Sequence, residues 1–309
     1  MTRRRLSFLA LACLLATAAG ISLGQPFGPG RRGPRGPRGV IPEDRAGVPN
    51  WKVDERFPKD VFTFVRIEYT DGAGFRGGGF GGRGGRGGRG GRGGFGGGYG
   101  GFGGGRWATD YPDSDYNFSF RLQQLTSLKV NPDPIHMPLT DPRLFDYPFI
   151  YLIEPGRLFF SEEEAAALRR YLLNGGFLMV DDFWGDFEYE NFHQEMKKVF
   201  ADREPMELDL DHEIFRCVYR LKEKPQVPSI GSWYSSGLTW EDWHGGNSRD
   251  VHFKGIFDDK GRMMAIICHN TDLGDGWERE GENEEYFHEF SEKKAYPMGI
   301  NIVTYAMTH

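Results

Sequence analysis

Cysteine is scarce in this chain: among 309 residues only Cys13, Cys217 and Cys268 occur. Cys13 falls in an N-terminal leader, which leaves two for the folded part. Two lone cysteines build neither a disulfide framework nor a thiolate metal site. They permit one disulfide, and they equally suit two small buried apolar side chains. Apolar runs long enough to cross a bilayer are also lacking. The run Leu6–Ala19 is too short to span comfortably. It is preceded by Arg3, Arg4 and Arg5 and followed by Ser22-Leu23-Gly24. This pattern reads as a secretory signal peptide covering residues 1–24. The expectation is an exported protein, periplasmic or extracellular, with no transmembrane segment after cleavage.

Positive charge is lacking where a nucleic-acid surface would need it. Residues 1–106 carry a net charge of +11, and residues 107–309 carry −17. An acidic folded part argues against nucleic-acid binding there and suits a cationic ligand or simple solubility. The basic half is low in complexity. Residues 25–58 are rich in Pro, Gly and Arg and read as a disordered linker. The domain is expected over residues 59–309, interrupted by a flexible Gly/Arg-rich insert at residues 72–106. That insert holds four consecutive Arg-Gly-Gly steps from Arg83 to Gly94. Such a composition binds RNA in other settings, and here it suggests weak contact with polyanions.

The rest of the chain alternates between strand and helix patterns. Val61–Tyr69 and Tyr147–Ile153 read as buried strands. Asp115–Leu128 has helical spacing of Phe118, Leu122, Leu125 and Leu128. Ser161 with Glu164 forms a capping box ahead of the stripe Ala167, Leu168, Tyr171 and Leu172. Asn174-Gly175-Gly176 ends that helix, and the strand Phe177–Val180 follows at once. Strand, helix and strand on short connections imply a parallel pair with a right-handed crossover. A further helix is expected over Tyr189–Phe200 and a strand over Ile214–Leu221. Val251–Phe257 and Met263–Cys268 flank the turn Asp258-Asp259-Lys260-Gly261 as a hairpin. Gly299–Thr308 reads as a closing buried helix, with irregular loops at residues 225–250 and 270–297.

Three clusters carry chemistry. Asp181, Asp182, Phe183 and Trp184 follow a central strand, at the edge where open α/β sheets bind ligands. One carboxylate there can hold a cation or act as a base, or it can simply cap the next helix. Asp211 and His212 have metal-ligand chemistry without HExxH or any strict spacing. A histidine that orients a turn is the plainer reading. Cys268–Trp277, containing Asn270 and Asp272, lacks the calcium-loop pattern and reads as a hairpin-exit loop. Trp233, Tyr234, Trp240, Trp243 and His244 are aromatics that can stack on a ligand or pack their own loop. Glu278–Glu292 reads as a solvated acidic face. No cofactor is expected and no metal is assigned.

From Phe62 to His309 the chain resembles the bacterial domain-of-unknown-function family 4159. The resemblance rests on Phe64–Tyr69, Phe149–Gly156, Leu168–Asp182, Leu210–Phe215, Asn270–Gly274 and Gly299–Tyr305. It implies an α/β, flavodoxin-like, class I glutamine amidotransferase-like sheet with flanking helices and a C-terminal β-hairpin. It implies no activity. Enzymes of that fold carry a cysteine on the sharp turn after a central strand. Here Asp181-Asp182-Phe183 stands at that turn, so a thiolate nucleophile cannot be assembled there.

The first expectation is therefore a non-catalytic binding or scaffold domain. It would use the crevice for an unidentified protein or small-molecule partner in the cell envelope. The second is a metal-assisted hydrolase of an envelope glycan or peptide. The third is polyanion or RNA binding through residues 72–106. Candidate ligand-binding residues are Asp181, Asp182, Phe183, Trp184, Asp211, His212, Asn270 and Asp272.

Overall fold

A computed structural model describes residues 45, 47–53, 56, 60–72, 105–242 and 245–309. The expected signal peptide, most of the linker and nearly all of the insert lie outside the described residues. So do Trp243 and His244.

A seven-stranded sheet organises the chain. In spatial order the strands are β3 (Ile135–Pro138), β1 (Val65–Glu68), β4 (Phe149–Ile153), β6 (Phe177–Asp181), β9 (Met263–His269), β8 (His252–Phe257) and β7 (Met206–Glu207). The first five are mutually parallel, and β8 and β7 add on antiparallel. Counted along the chain, the parallel strands run second, first, third, fourth, fifth, which is the flavodoxin-like order. A small ribbon of β2 (Thr70–Asp71) and β5 (Leu158–Phe159) sits beside them.

Helices cover both faces, because both faces of the parallel strands are apolar. On one side lie α1 (Asp113–Leu125), α5 (Leu273–Glu278) and α7 (Tyr296–Thr308). They bury Phe118, Leu122, Trp277 and Ile300 against Phe64, Tyr151, Met179 and Ile266. On the other lie α2 (Glu162–Leu173) and α3 (Gly185–Val199), which pack Leu168, Leu172, Phe192 and Met196 against Ile150, Val180 and Ile267. The β4–α2–β6 crossover forms as expected, with both halves of the Ser161 capping box made. Gly175 takes φ 102° at the end of α2. Ser161→Ala should cost about 1 kcal/mol by loss of one cap bond. A urea melt checks this, and an unchanged midpoint would contradict it.

Three expectations need correction. Ile214–Leu221 is not a strand; a short 3₁₀ turn, Glu213–Phe215, begins it. The buried Asn301 side chain accepts from Val218 N and Tyr219 N and donates to Tyr219 O, so those backbone groups are unavailable for a ladder. Residues 270–297 are largely helical rather than looped. α5 is followed by α6 (Glu284–Tyr286), which runs through a π-helical stretch, Phe287–Ala295, into α7. Nor is Glu278–Glu292 wholly solvated. Glu278 and Glu280 are buried, and Glu280 pairs with Arg121 and accepts from Tyr296 Oη. Cation partners on neighbouring elements offset the desolvation of these acids, and charge periodicity alone does not reveal that.

The end of the expected linker docks on the domain. Trp51 Nε1 donates to Val130 O at 2.7 Å, and Arg45 pairs with Asp133.

Candidate acidic crevice at the carboxyl edge of the sheet

Three adjacent strands end in the same way. Glu154 follows β4, Asp182 follows β6 and Asn270 follows β9, and each takes a left-handed backbone with φ of 47°, 56° and 60°. Asp110, just before α1, is the fourth described non-glycine residue of this kind, at φ 59°. Left-handed backbone is uncommon for residues with a β-carbon and concentrates where surrounding structure enforces it. Here it turns the chain sharply at each strand end and gathers carboxylates along one rim.

Buried Arg66 on β1 sets the position of Asp110. Its guanidinium donates to both oxygens of Asp115, at 3.0 and 2.5 Å. It also donates to Ser114 Oγ and to the carbonyls of Trp107 and Thr109. The loop leading into α1 is thereby tied to the centre of the sheet. Asp272 caps α5 by accepting from Asp275 N at 2.6 Å. Asp110, Asp272 and Asp275 each bring a carboxylate oxygen to within 4.8 Å of the others.

Asp181 closes the floor. Its Oδ2 accepts from Tyr151 Oη and Gly274 N, both at 3.0 Å. Its Oδ1 is buried and takes no hydrogen bond of good geometry, although the Leu273 and Asp182 amides lie near enough to lower its pKa. Burial wins nonetheless and pushes the Asp181 carboxyl up to about 7. Burial, and then the charges of Glu154, Asp110, Glu241 and Asp181, drive Asp182 well above the usual carboxylate range. Asp272 is raised by burial and by Asp182, Asp110, Asp275 and Asp181. Asp110 is raised by burial and by Glu278 and Asp275. Asp275 rises to about 6 through burial, with Arg279 opposing the shift. The edge thus concentrates carboxylates that repel one another.

Arginines stand at its flanks. Arg279 pairs with Asp275, Glu278 and Glu282. Arg106 pairs with Glu154 at 2.9 Å and approaches Glu188. Thr109 Oγ1 donates to Glu154 as well.

The residues singled out from sequence separate into groups. Asp181, Asp182 and Asp272 meet at the crevice. Trp184 is buried and donates its indole N–H to Asp182 Oδ1 at 3.2 Å. Asn270 lines no opening. Its Oδ1 accepts from Gly185 N, and its Nδ2 donates to Asn247 O and Asp250 O, so it fastens a loop to the start of α3. Phe183 is fully buried against Phe192 and His269 on the α2–α3 side. Asp211 and His212 lie at the opposite edge. The His212 ring sits 5.8 Å from Tyr305, which in turn packs on Phe177 at the start of β6. His212 Nδ1 accepts from Ile214 N and orients a turn. Trp233 and Tyr234 belong to a short helix, α4 (Ile230–Ser236), rather than to a loop.

Asp110, Glu154 and Asp275 complete the rim and were not singled out from sequence. Glu154 has a usable signal, since it follows a buried strand as Asp182 does. Asp275 was hidden in a stretch read as a loop. Asp110 has none, because the insert separates it from the strand that anchors it.

Both cysteines are free. Cys217 Sγ donates to Asn301 O. Cys268 lies on β9, next to β6 and fully buried, and burial together with Asp181 pushes its thiol well up. Its neighbour His269 points to the other sheet face, stacking against Phe183 and Tyr189. Successive strand residues face opposite ways, so the two cannot form a thiol–imidazole pair.

A flavodoxin-like α/β domain with a carboxylate-rimmed strand edge is the class these features define. The match to known families is specific: residues 98–307 fit the model described as Domain of unknown function (DUF4159). The chain belongs to this family. No curated protein matches it.

Proposed function

We infer that this protein is an exported, non-catalytic binding domain whose carboxyl-edge crevice holds a cationic ligand. One observation carries the reading: Asp182, and not a cysteine, occupies the left-handed turn after β6, with Asp110, Asp181 and Asp272 around it. In the amidotransferase-like reading of the fold, that turn is where a nucleophile would stand. An acid whose pKa is raised by desolvation and by neighbouring carboxylates is a poor nucleophile and a good counter-charge for a cation. Export is supported by the N-terminal Arg3–Arg5 and the apolar run Leu6–Ala19.

Native mass spectrometry of the full chain should find a cationic ligand retained by the wild type and lost from Asp182→Ala. Ammonia release from glutamine should stay at background for both. Glutamine turnover abolished by Cys268→Ser would overturn the reading.

The metal-assisted hydrolase is favoured by one observation, the convergence of Asp110, Asp272 and Asp275. No described histidine stands beside these carboxylates, since His269 faces away and His212 lies at the opposite edge. Polyanion binding through residues 72–106 gains no support, because nearly all of that segment lies outside the described residues.

A further inference from the structure

We propose that the crevice holds a hard divalent cation, Ca²⁺ or Mg²⁺, between Asp110 and Asp272, with Asp275 as the third carboxylate. This rests on the binding-domain reading and names what the crevice binds.

The donor set points to this class of ion. Every candidate ligand is a carboxylate oxygen, and no histidine or cysteine joins them among the described residues. Oxygen-only sites select Ca²⁺, Mg²⁺ or Mn²⁺ over zinc. The three oxygens lie within 4.8 Å of one another, a spacing one ion can bridge.

Two further observations set this group apart from an ordinary acidic patch. The first is unmet coordination capacity under burial. Asp110 Oδ2 is inaccessible to solvent and accepts no hydrogen bond from a described residue. Asp181 is fully buried at the end of β6, and its Oδ1 takes no hydrogen bond of good geometry, with the Leu273 and Asp182 amides close by. Buried polar atoms are nearly always satisfied, and those left over at one spot mark a missing partner. Donors reach Asp272 Oδ1 from Asp275 N and both Asp275 oxygens from Arg279, Ile230 N and Tyr286 Oη, whereas Asp110 Oδ2 has none among the described residues.

The second is a close approach of side chains to the backbone that only a glycine permits. Gly274 lies between these groups, its amide bound to Asp181 Oδ2. A β-carbon on Gly274 would lie 3.0 Å from Asp110 Oδ2 and 2.9 Å from Tyr151 Oη. Its backbone is an ordinary first-turn helix, so conformational freedom does not explain the glycine. The close packing of Asp110, Tyr151 and Ile153 on this backbone does.

Calorimetric titration of the chelator-treated full chain with CaCl₂, MgCl₂ and ZnCl₂ tests the proposal. One saturable site for Ca²⁺ or Mg²⁺ is expected. Asp110→Asn and Asp272→Asn should each weaken it more than tenfold. Asparagine tolerates the left-handed backbone at 110 and can still cap α5 at 272, so both variants should fold, and their melting curves check that. Asp211→Asn, at the opposite edge, should bind as the wild type does. Absence of Ca²⁺ and Mg²⁺ binding, or equal binding by both crevice variants, overturns the proposal. A melting-temperature rise with spermidine separates the two readings. If it appears without metal binding and depends on Asp182, the metal site falls and the binding-domain reading stands. If neither cation acts, both fall.

Discussion

Replacing Arg66 by methionine should destabilise the protein by about 3–5 kcal/mol, the usual cost of breaking a buried ion pair from one side. Arg66 and Asp115 are both completely buried, so Asp115 would be left charged in the core, keeping Ser114 Oγ as its side-chain donor among the described residues. The carbonyls of Trp107 and Thr109 would lose their donor at the same time. The loss should therefore reach function as well as stability, because those carbonyls precede Asp110 directly. Cation binding should weaken along with the urea midpoint. The double variant Arg66→Met with Asp115→Leu should regain much of the stability, since no charge is then stranded. It should not regain the binding, since the loop remains untied. An unchanged midpoint in Arg66→Met, or full recovery of binding in the double variant, would contradict this account.

The second large effect is a dependence on pH that runs opposite to ordinary acid denaturation. The folded Asp181 carboxyl titrates at about 7, against an ordinary value of 3.8. Between those limits the folded protein keeps a proton that the unfolded chain has released. This contribution is fully present below about pH 4 and is lost as pH rises through about 7, a total of about 4 kcal/mol. Asp275, raised to about 6, acts in the same direction. His269 opposes them: burial lowers it to about 4, so its contribution is lost as pH falls from about 6.5. In chelator, unfolding free energy measured from pH 4.5 to 8 should decline, and Asp181→Asn should remove much of that decline. A parallel pH profile for wild type and Asp181→Asn would contradict the assignment.

Much of the fold is legible in the sequence because its determinants are local. The capping box at Ser161, the glycine exit at Gly175 and the apolar run Phe177–Val180 each act within a few residues, and together they specify β4–α2–β6. The β8–β9 hairpin is legible for the same reason. What escapes is decided at long range. Asn301 reaches back to residues 218 and 219 and prevents a strand there. Arg121 and Tyr296 make Glu280 a core residue although the acidic residues just after it, Glu282, Glu284 and Glu285, are exposed. The site divides along the same line. Asp181, Asp182 and Asp272 follow strands and can be found by position. Asp110 is brought in by Arg66 across the insert. The aromatic Phe183 belongs to the core because the left-handed turn at Asp182 sends the next side chain to the other face.

The two ends of the Gly/Arg-rich segment meet on a single carboxylate. Asp71 Oδ2 accepts from Arg106 N at 3.3 Å, and a β-carbon on Gly105 would lie 3.4 Å from the same oxygen. The ribbon β2–β5 holds Asp71 in place from the other side. The body of the protein is therefore already stitched shut at this point, whatever length of chain is spliced between the stems. A short Gly-Ser bridge, or a whole foreign module with adjacent termini, should be accepted here at a closure cost that grows only logarithmically with length. The position suits grafting a fluorescent reporter beside the carboxyl edge of the sheet.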